Sequence, residues 1–116
     1  MIPLGGPVLE KHDDPRELAR RHKELGYTAA YAPRVDLNDA CLIDSVRNAF
    51  AAEQIIIAEA GAWSNMLAVD EAERRANHEK VCNTLAMADA LGARCCVNYI
   101  GTLAKNSCFG PHPDNL

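Results

Sequence analysis

The stretch Gln54-Ile55-Ile56-Ile57-Ala58-Glu59-Ala60-Gly61 decides the fold. Consecutive isoleucines are stiff at χ1 and favour extended backbone, where the branched Cβ packs well on a pleated surface. Successive strand side chains point to opposite sides, so an apolar run without alternation needs cover on both faces. That is the situation of a parallel strand between a barrel interior and a helix layer. The run predicts a strand over 54–58, with Ile55, Ile57 and Glu59 on one face and Ile56, Ala58 and Ala60 on the other.

Amphipathic stretches with strong start signals flank this strand. Asp14 stands at an N-cap position, Pro15 at the first helical position and Glu17 two residues on, which predicts a helix over 15–25 closed by Gly26. A strand over 28–32 ends at Pro33. Asn38 or Asp39 then caps a helix over 39–52 that carries Leu42, Val46, Ala49 and Phe50 on one side. Asp70 with Glu73 opens a long helix in which Val81, Leu85, Ala88 and Leu91 recur at helical spacing up to Gly92. A strand over 94–100 follows, ended by Gly101, and a loop rich in Asn, Ser, Gly and Pro runs on from it. The opening residues 1–4 supply a first strand, weakened by Pro3, which has no amide donor. The expected order is therefore βαβαβαβ, four parallel strands and three helices in an α/β fold. Pro113-Asp114-Asn115 reads as the start signal of a fourth helix, and an ordinary doubly wound domain would finish with a helix over its last strand, so a truncated chain or partial reading frame is expected.

Composition narrows the functional classes. The 116 residues are 48% hydrophobic and 24% charged, which fits one globular domain. The longest uncharged apolar run, 55–58, is far below the roughly 20 residues that cross a bilayer, so no membrane partner and a cytoplasmic location are expected. A net charge of -4 disfavours nucleic acid, whose binding needs clustered basic residues. Arg20, Arg21 and Lys23 stand beside Glu17 and Glu24, as on a solvated helix face. Five cysteines without a Cys-x-x-Cys pair suggest reduced, mostly buried thiols, with Cys95 and Cys96 on opposite faces of a strand.

Parallel α/β folds place ligands at the C-terminal ends of their strands, which singles out the residues after each apolar run. Glu59 at the last position of its strand either contacts substrate in a barrel mouth or pairs with a rim cation. Trp63, the only tryptophan, is either an apolar wall for a small polar ligand or a plug over the barrel end. Asn98, amid apolar residues, hydrogen-bonds a neighbouring strand end or a substrate hydroxyl. His112 sits between two prolines in a stiff loop, exposed or touching ligand. His22 and His78 read as surface or interhelical residues, and His12 as structural. No phosphate-binding glycine loop, nucleophile elbow or zinc-protease motif occurs, so spacing names no reaction.

Gly5-Gly6-Pro7-Val8, Leu25-Gly26-Tyr27 with Ala29-Ala30-Tyr31, Glu59-Ala60-Gly61-Ala62-Trp63-Ser64-Asn65, Ala90-Leu91-Gly92-Ala93-Arg94-Cys95-Cys96-Val97-Asn98 and Gly110-Pro111-His112-Pro113-Asp114-Asn115-Leu116 span essentially the whole chain. In that order they resemble the N-terminal half of sugar phosphate isomerases/epimerases with the xylose isomerase-like TIM barrel fold. The resemblance implies a partial (β/α)8 barrel over 1–116, the full barrel taking about 250 residues. It implies metal-assisted proton transfer next to the carbonyl of a sugar or polyol. It also implies a divalent metal in the full-length family whose ligands come from later strands, so this segment holds none and is inactive alone. Glu59, Trp63, Asn98 and His112 are then the substrate-side wall. Two other classes compete. One is a self-associating half-barrel or small-molecule-binding module, a homodimer closing one barrel from two halves. The other is an endonuclease of the same superfamily, which the acidic balance disfavours.

Overall fold

The computed structural model describes residues 2–105 and 110–115; Met1 of the expected first strand, Cys108 and Leu116 lie outside the described residues. The element order is α1 (Pro15–Glu24), β1 (Ala29–Tyr31), α2 (Ala40–Ala52), β2 (Ile56–Gly61), α3 (Glu71–Leu91) and β3 (Cys95–Val97). Each helix begins where a short acidic side chain can satisfy a free amide. Asp14 accepts from the Arg16 N–H at 2.9 Å, Asp39 from Leu42 at 2.9 Å and Asp70 from Glu73 at 2.8 Å. Gly92 ends α3 in the left-handed conformation, with φ 71°, where a Cβ would be strained.

The three strands form one parallel sheet in the order β1-β2-β3. Strand order that follows chain order without reversal, combined with right-handed crossovers, carries every connecting helix to the same face. One buried cluster accordingly joins all three helices to the sheet: Ala19 and His22 from α1, Val46 and Phe50 from α2, Ile57 and Ala60 from β2, and Met87 and Leu91 from α3 are all buried. Phe50, 1% exposed, is the largest of its fully buried side chains. Its ring lies 5.5 Å from that of His22, whose Nδ1 bonds the Leu18 carbonyl at 2.8 Å, so His22 is an interhelical residue. No helix among the described residues is long and apolar enough to cross a membrane.

The structure corrects several expectations. Among the described residues there are three strands rather than four, in the order αβαβαβ. Pro3 has no N–H to give, and among the described residues the opening segment meets the start of β1 through a parallel bridge between Gly5 and Ala29, the Leu4 carbonyl, which accepts from Thr28 and Ala29, and the Leu4 N–H, which donates to Thr28 Oγ1. The last strand is shorter than 94–100. In α3 the core face is Met87, Ala88 and Leu91, whereas Val81 is half-buried and Leu85 is 58% exposed. A 21-residue helix is about 32 Å long, and a six-residue strand about 20 Å, so the N-terminal half of α3 runs beyond the sheet it covers. The thiols are not mostly buried. Cys41, Cys82 and Cys95 are exposed and Cys96 half-buried, because two stand on outer helix faces and Cys95 lies in the edge strand.

A β-bulge changes the faces of β2. Ala30 pairs with Ile57 but Tyr31 pairs with Glu59, so Ala58 is the extra residue and the alternation shifts by one. Ile57 and Ala60 are both buried in the core, while Ala58 and Glu59 between them are half-buried. Glu59 therefore does not share a face with Ile55 and Ile57 as strict alternation required. It is carried to the side away from the helices.

The segment before α1 is tied down by a bidentate pair. Arg21 donates from Nε to Glu10 Oε2 at 2.8 Å and from Nη2 to Oε1 at 3.1 Å. His12 stands between two carboxylates, 3.7 Å from Glu10 and 3.8 Å from Glu17, in keeping with a structural role. The hydrogen bond and charge of Arg21 hold the Glu10 carboxyl below its ordinary range. A depressed carboxylate stabilises the fold above its unfolded value. That contribution is expected to fade as pH falls from the ordinary glutamate range through the lowered folded value, and acid titration of an Arg21→Gln variant should lack it.

Candidate functional site

The C-terminal ends of β2 and β3 and the loops after them gather most of the unusual backbone and side-chain geometry. The ladder continues past both strands, with the Ala62 N–H bonded to the Val97 carbonyl at 2.9 Å and that of Met66 to Ile100 at 3.0 Å. Between these rungs Trp63 adopts φ 43°, a left-handed conformation that costs a bulky residue on the order of 1 kcal/mol or more. Two contacts hold it there. Its indole stacks on Tyr99 with ring centroids 6.2 Å apart and planes at 29°, and it folds back over Gly61, where any Cβ would collide with Nε1. Trp63 remains 52% exposed, so the stacked pair presents aromatic surface at the strand ends.

Gly61→Ala is expected to push the indole off Tyr99, at about 1–3 kcal/mol of overpacking, and to shift the emission of this single tryptophan. Unchanged emission and stability would show that the indole does not rest on Gly61.

Asn98 is half-buried and its Oδ1 accepts from the Ser64 N–H at 2.8 Å, which fixes the loop immediately after Trp63. Behind it a second amide does more. Asn65 is buried; its Oδ1 accepts from Thr102 and Leu67 N–H groups at 2.9 and 3.0 Å, and its Nδ2 donates to the Thr102 carbonyl at 2.9 Å. Gly101 takes φ 108°, and a Cβ there would strike Asn65 Oδ1, so glycine is what lets the two loops meet. Thr102 is 1% exposed, and its hydroxyl has a single proton. The short 2.5 Å contact gives that proton to the Gly110 carbonyl, and the same oxygen accepts from Asn115 Nδ2 at 2.9 Å and Ala104 N–H at 3.0 Å. Asn115 Oδ1 also accepts from Leu103 N–H at 2.8 Å. A continuous polar chain thus runs from the loop after β2 to residues 110–115.

His112 belongs to that last segment. Its Nδ1 lies 3.2 Å from the Asp114 N–H and 3.8 Å from an Asp114 carboxylate oxygen. The shorter, backbone contact makes Nδ1 an acceptor, which leaves the ring proton on Nε2. Glu59 stands apart. With Pro3, Gly5, Gly6, Tyr31 and Ala58 it lines a recess of about 220 Å³, and its carboxylate has neither an ion pair nor a hydrogen bond among the described residues. Among the described residues no rim cation pairs with it.

The structure brings Trp63 and Asn98 into one unit through Ser64 and Tyr99, and links His112 to it through Asn115, Thr102 and Asn65. Glu59 lines a recess of its own. Sequence reasoning missed the structural weight of Tyr99, Asn65, Thr102 and Asn115. Tyr99 could have been found from its place beside Asn98 at a strand end, but nothing in local spacing pairs Asn65 with Thr102, 37 residues away. Among the described residues no three His, Cys, Asp or Glu side chains converge as metal ligands would.

Fold and site together define an α/β chain whose parallel sheet is covered by helices on one face and carries an aromatic and amide cluster at its strand ends. No family model, curated protein or solved structure matches it.

Proposed function

We propose that this chain is the N-terminal half of a xylose isomerase-like TIM barrel, and that it supplies the substrate-side wall of a sugar phosphate isomerase or epimerase. The observation that carries the reading is the sequential parallel sheet with every helix on one face. A barrel wall needs that arrangement, whereas a doubly wound sheet reverses strand order and takes helices on both faces. The bulge that turns Glu59 toward the helix-free side is of the kind found beside active sites.

In this reading the Trp63–Tyr99 pair offers its exposed ring to the apolar face of a sugar or polyol, and Glu59 accepts from a hydroxyl. Asn98 holds the Trp63 loop in place. The divalent metal that polarises the carbonyl is held by residues outside this segment, and the segment alone binds without turnover.

The test is calorimetric titration of ketoses, aldoses and polyols, free and phosphorylated, into the chain. Saturable binding that weakens in Trp63→Leu and in Glu59→Gln is the expected result. No binding by any of them, or binding indifferent to both substitutions, contradicts the reading.

A second reading, a half-barrel that closes against its own copy, is favoured by the outer edge of β3, which pairs with no further strand among the described residues. Light scattering separates the two, a monodisperse dimer supporting closure and a monomer the first reading.

A further inference from the structure

Away from the Glu59 recess, a cleft of about 660 Å³ opens between the loop after β1 and the side of α3 that carries Lys80, Asn83 and Met87. It falls within the roughly 300–1,000 Å³ of small-molecule sites. Arg34 and Asn38 line it from the loop, and Glu79, Lys80 and Asn83 from the helix, over an apolar base of Val35, Ala76 and Met87. Gly61, on which the Trp63 indole rests, is also part of its wall.

The basic residues of this chain are mostly engaged. Lys11, Arg20, Arg21, Arg47 and Arg75 pair with carboxylates, and Lys23 and Arg74 donate to carbonyls. Arg34 and Lys80, like Arg16, Arg94 and Lys105, have neither kind of partner among the described residues, and of these five they are the two that reach the same cleft, from different elements. Asn83 makes no side-chain hydrogen bond among the described residues. Asn38 spends one amide proton on Asp36 Oδ1, at 3.0 Å, and keeps another. Two uncommitted cations and two amides above an apolar base are the complement of an anionic head on an apolar body. The planar guanidinium suits two oxygens of one phosphate, and the ammonium adds a point charge. Glu79 is the one carboxylate on the walls and works against an anion.

We propose that this cleft binds a small phosphate ester with an apolar or ring-shaped body, through Arg34 and Lys80 on the phosphate and Val35 and Met87 beneath the body. The site shares Gly61 with the Trp63 loop, but its ligand groups are other residues, and it does not depend on that reading.

Phenyl phosphate is a suitable probe, with phenol as its uncharged counterpart, in titrations followed by calorimetry and by Trp63 emission. The full chain is expected to bind phenyl phosphate saturably and phenol at least about tenfold more weakly, since a charge-assisted hydrogen bond is worth roughly a factor of ten. Arg34→Gln and Lys80→Gln should each weaken binding about tenfold by the same measure, and Glu79→Gln should tighten it. Arg75→Gln, on the same helix but paired with Glu71, should leave binding unchanged. Arg34 and Lys80 are exposed, so the variants should fold as the parent does, which circular dichroism checks, and the gain in Glu79→Gln cannot come from misfolding. Absence of saturable binding, full binding by the Arg34→Gln/Lys80→Gln double variant, or an equal loss in Arg75→Gln would overturn the proposal.

Discussion

Phe50→Ala is expected to remove about 3–5 kcal/mol of stability, enough to consume much of the roughly 5–15 kcal/mol that holds a small domain folded. Three features of the site set the size of the effect. The ring is 1% exposed, it lies where α1, α2 and the sheet meet, and one of its neighbours is the buried imidazole of His22. Truncation leaves a cavity against Ile55, Ile57 and Leu91, which belong to rigid elements and collapse only in part. It also uncovers one side of a polar ring. Chemical denaturation read by circular dichroism checks the prediction; a midpoint shift equivalent to less than 1 kcal/mol would mean that the core repacks, and that the helix layer is looser than its burial suggests.

Asn65→Ala is the second large effect, and it acts on the site as well as on stability. The substitution strands the N–H of Thr102, its carbonyl and the N–H of Leu67, of which the Thr102 groups are buried. Each buried group left without a partner costs about 1–3 kcal/mol. Thr102 in turn holds Gly110 and Asn115, so residues 110–115 with His112 should detach from the strand ends. Loss of the loop that frames Trp63 should move its emission toward that of a solvated indole. Asn65→Asp separates the contributions: a carboxylate keeps both acceptor bonds but turns a charged oxygen toward the buried Thr102 carbonyl, so it should hold the loop contacts better than alanine while still destabilising the fold. If alanine and aspartate behave alike and leave Trp63 emission unchanged, the amide is not what organises the cluster.

The fold was largely legible because its determinants are local. The triple isoleucine run announced β2, and Asp14, Asp39 and Asp70 announced the three helix starts where the side chains now cap. What escaped has longer-range causes. The bulge at Ala58 arises from how β1 and β2 register, so alternation read along one strand placed Glu59 on the wrong face. Leu85 repeats at helical spacing but stands beside the inward stripe of Val81, Thr84, Ala88 and Leu91 rather than in it, so periodicity marked a core position that has no core beneath it. At the site, Trp63 and Asn98 were visible as an isolated aromatic in a loop and an amide in an apolar strand. The Asn65–Thr102–Asn115 chain was not, because hydrogen bonds between loops leave no periodic mark.

The central claim is that the strand-end cluster receives a sugar. Amide chemical-shift mapping by NMR during titration of a ketose tests it most directly, because it reports where the ligand sits as well as whether it binds. The account predicts saturable shifts confined to the Trp63 indole N–H, the Ser64 amide, Tyr99 and the Asn98 side chain, with Glu59 following on the helix-free face. Shifts confined to α1 and α2, or none at any concentration, would contradict it.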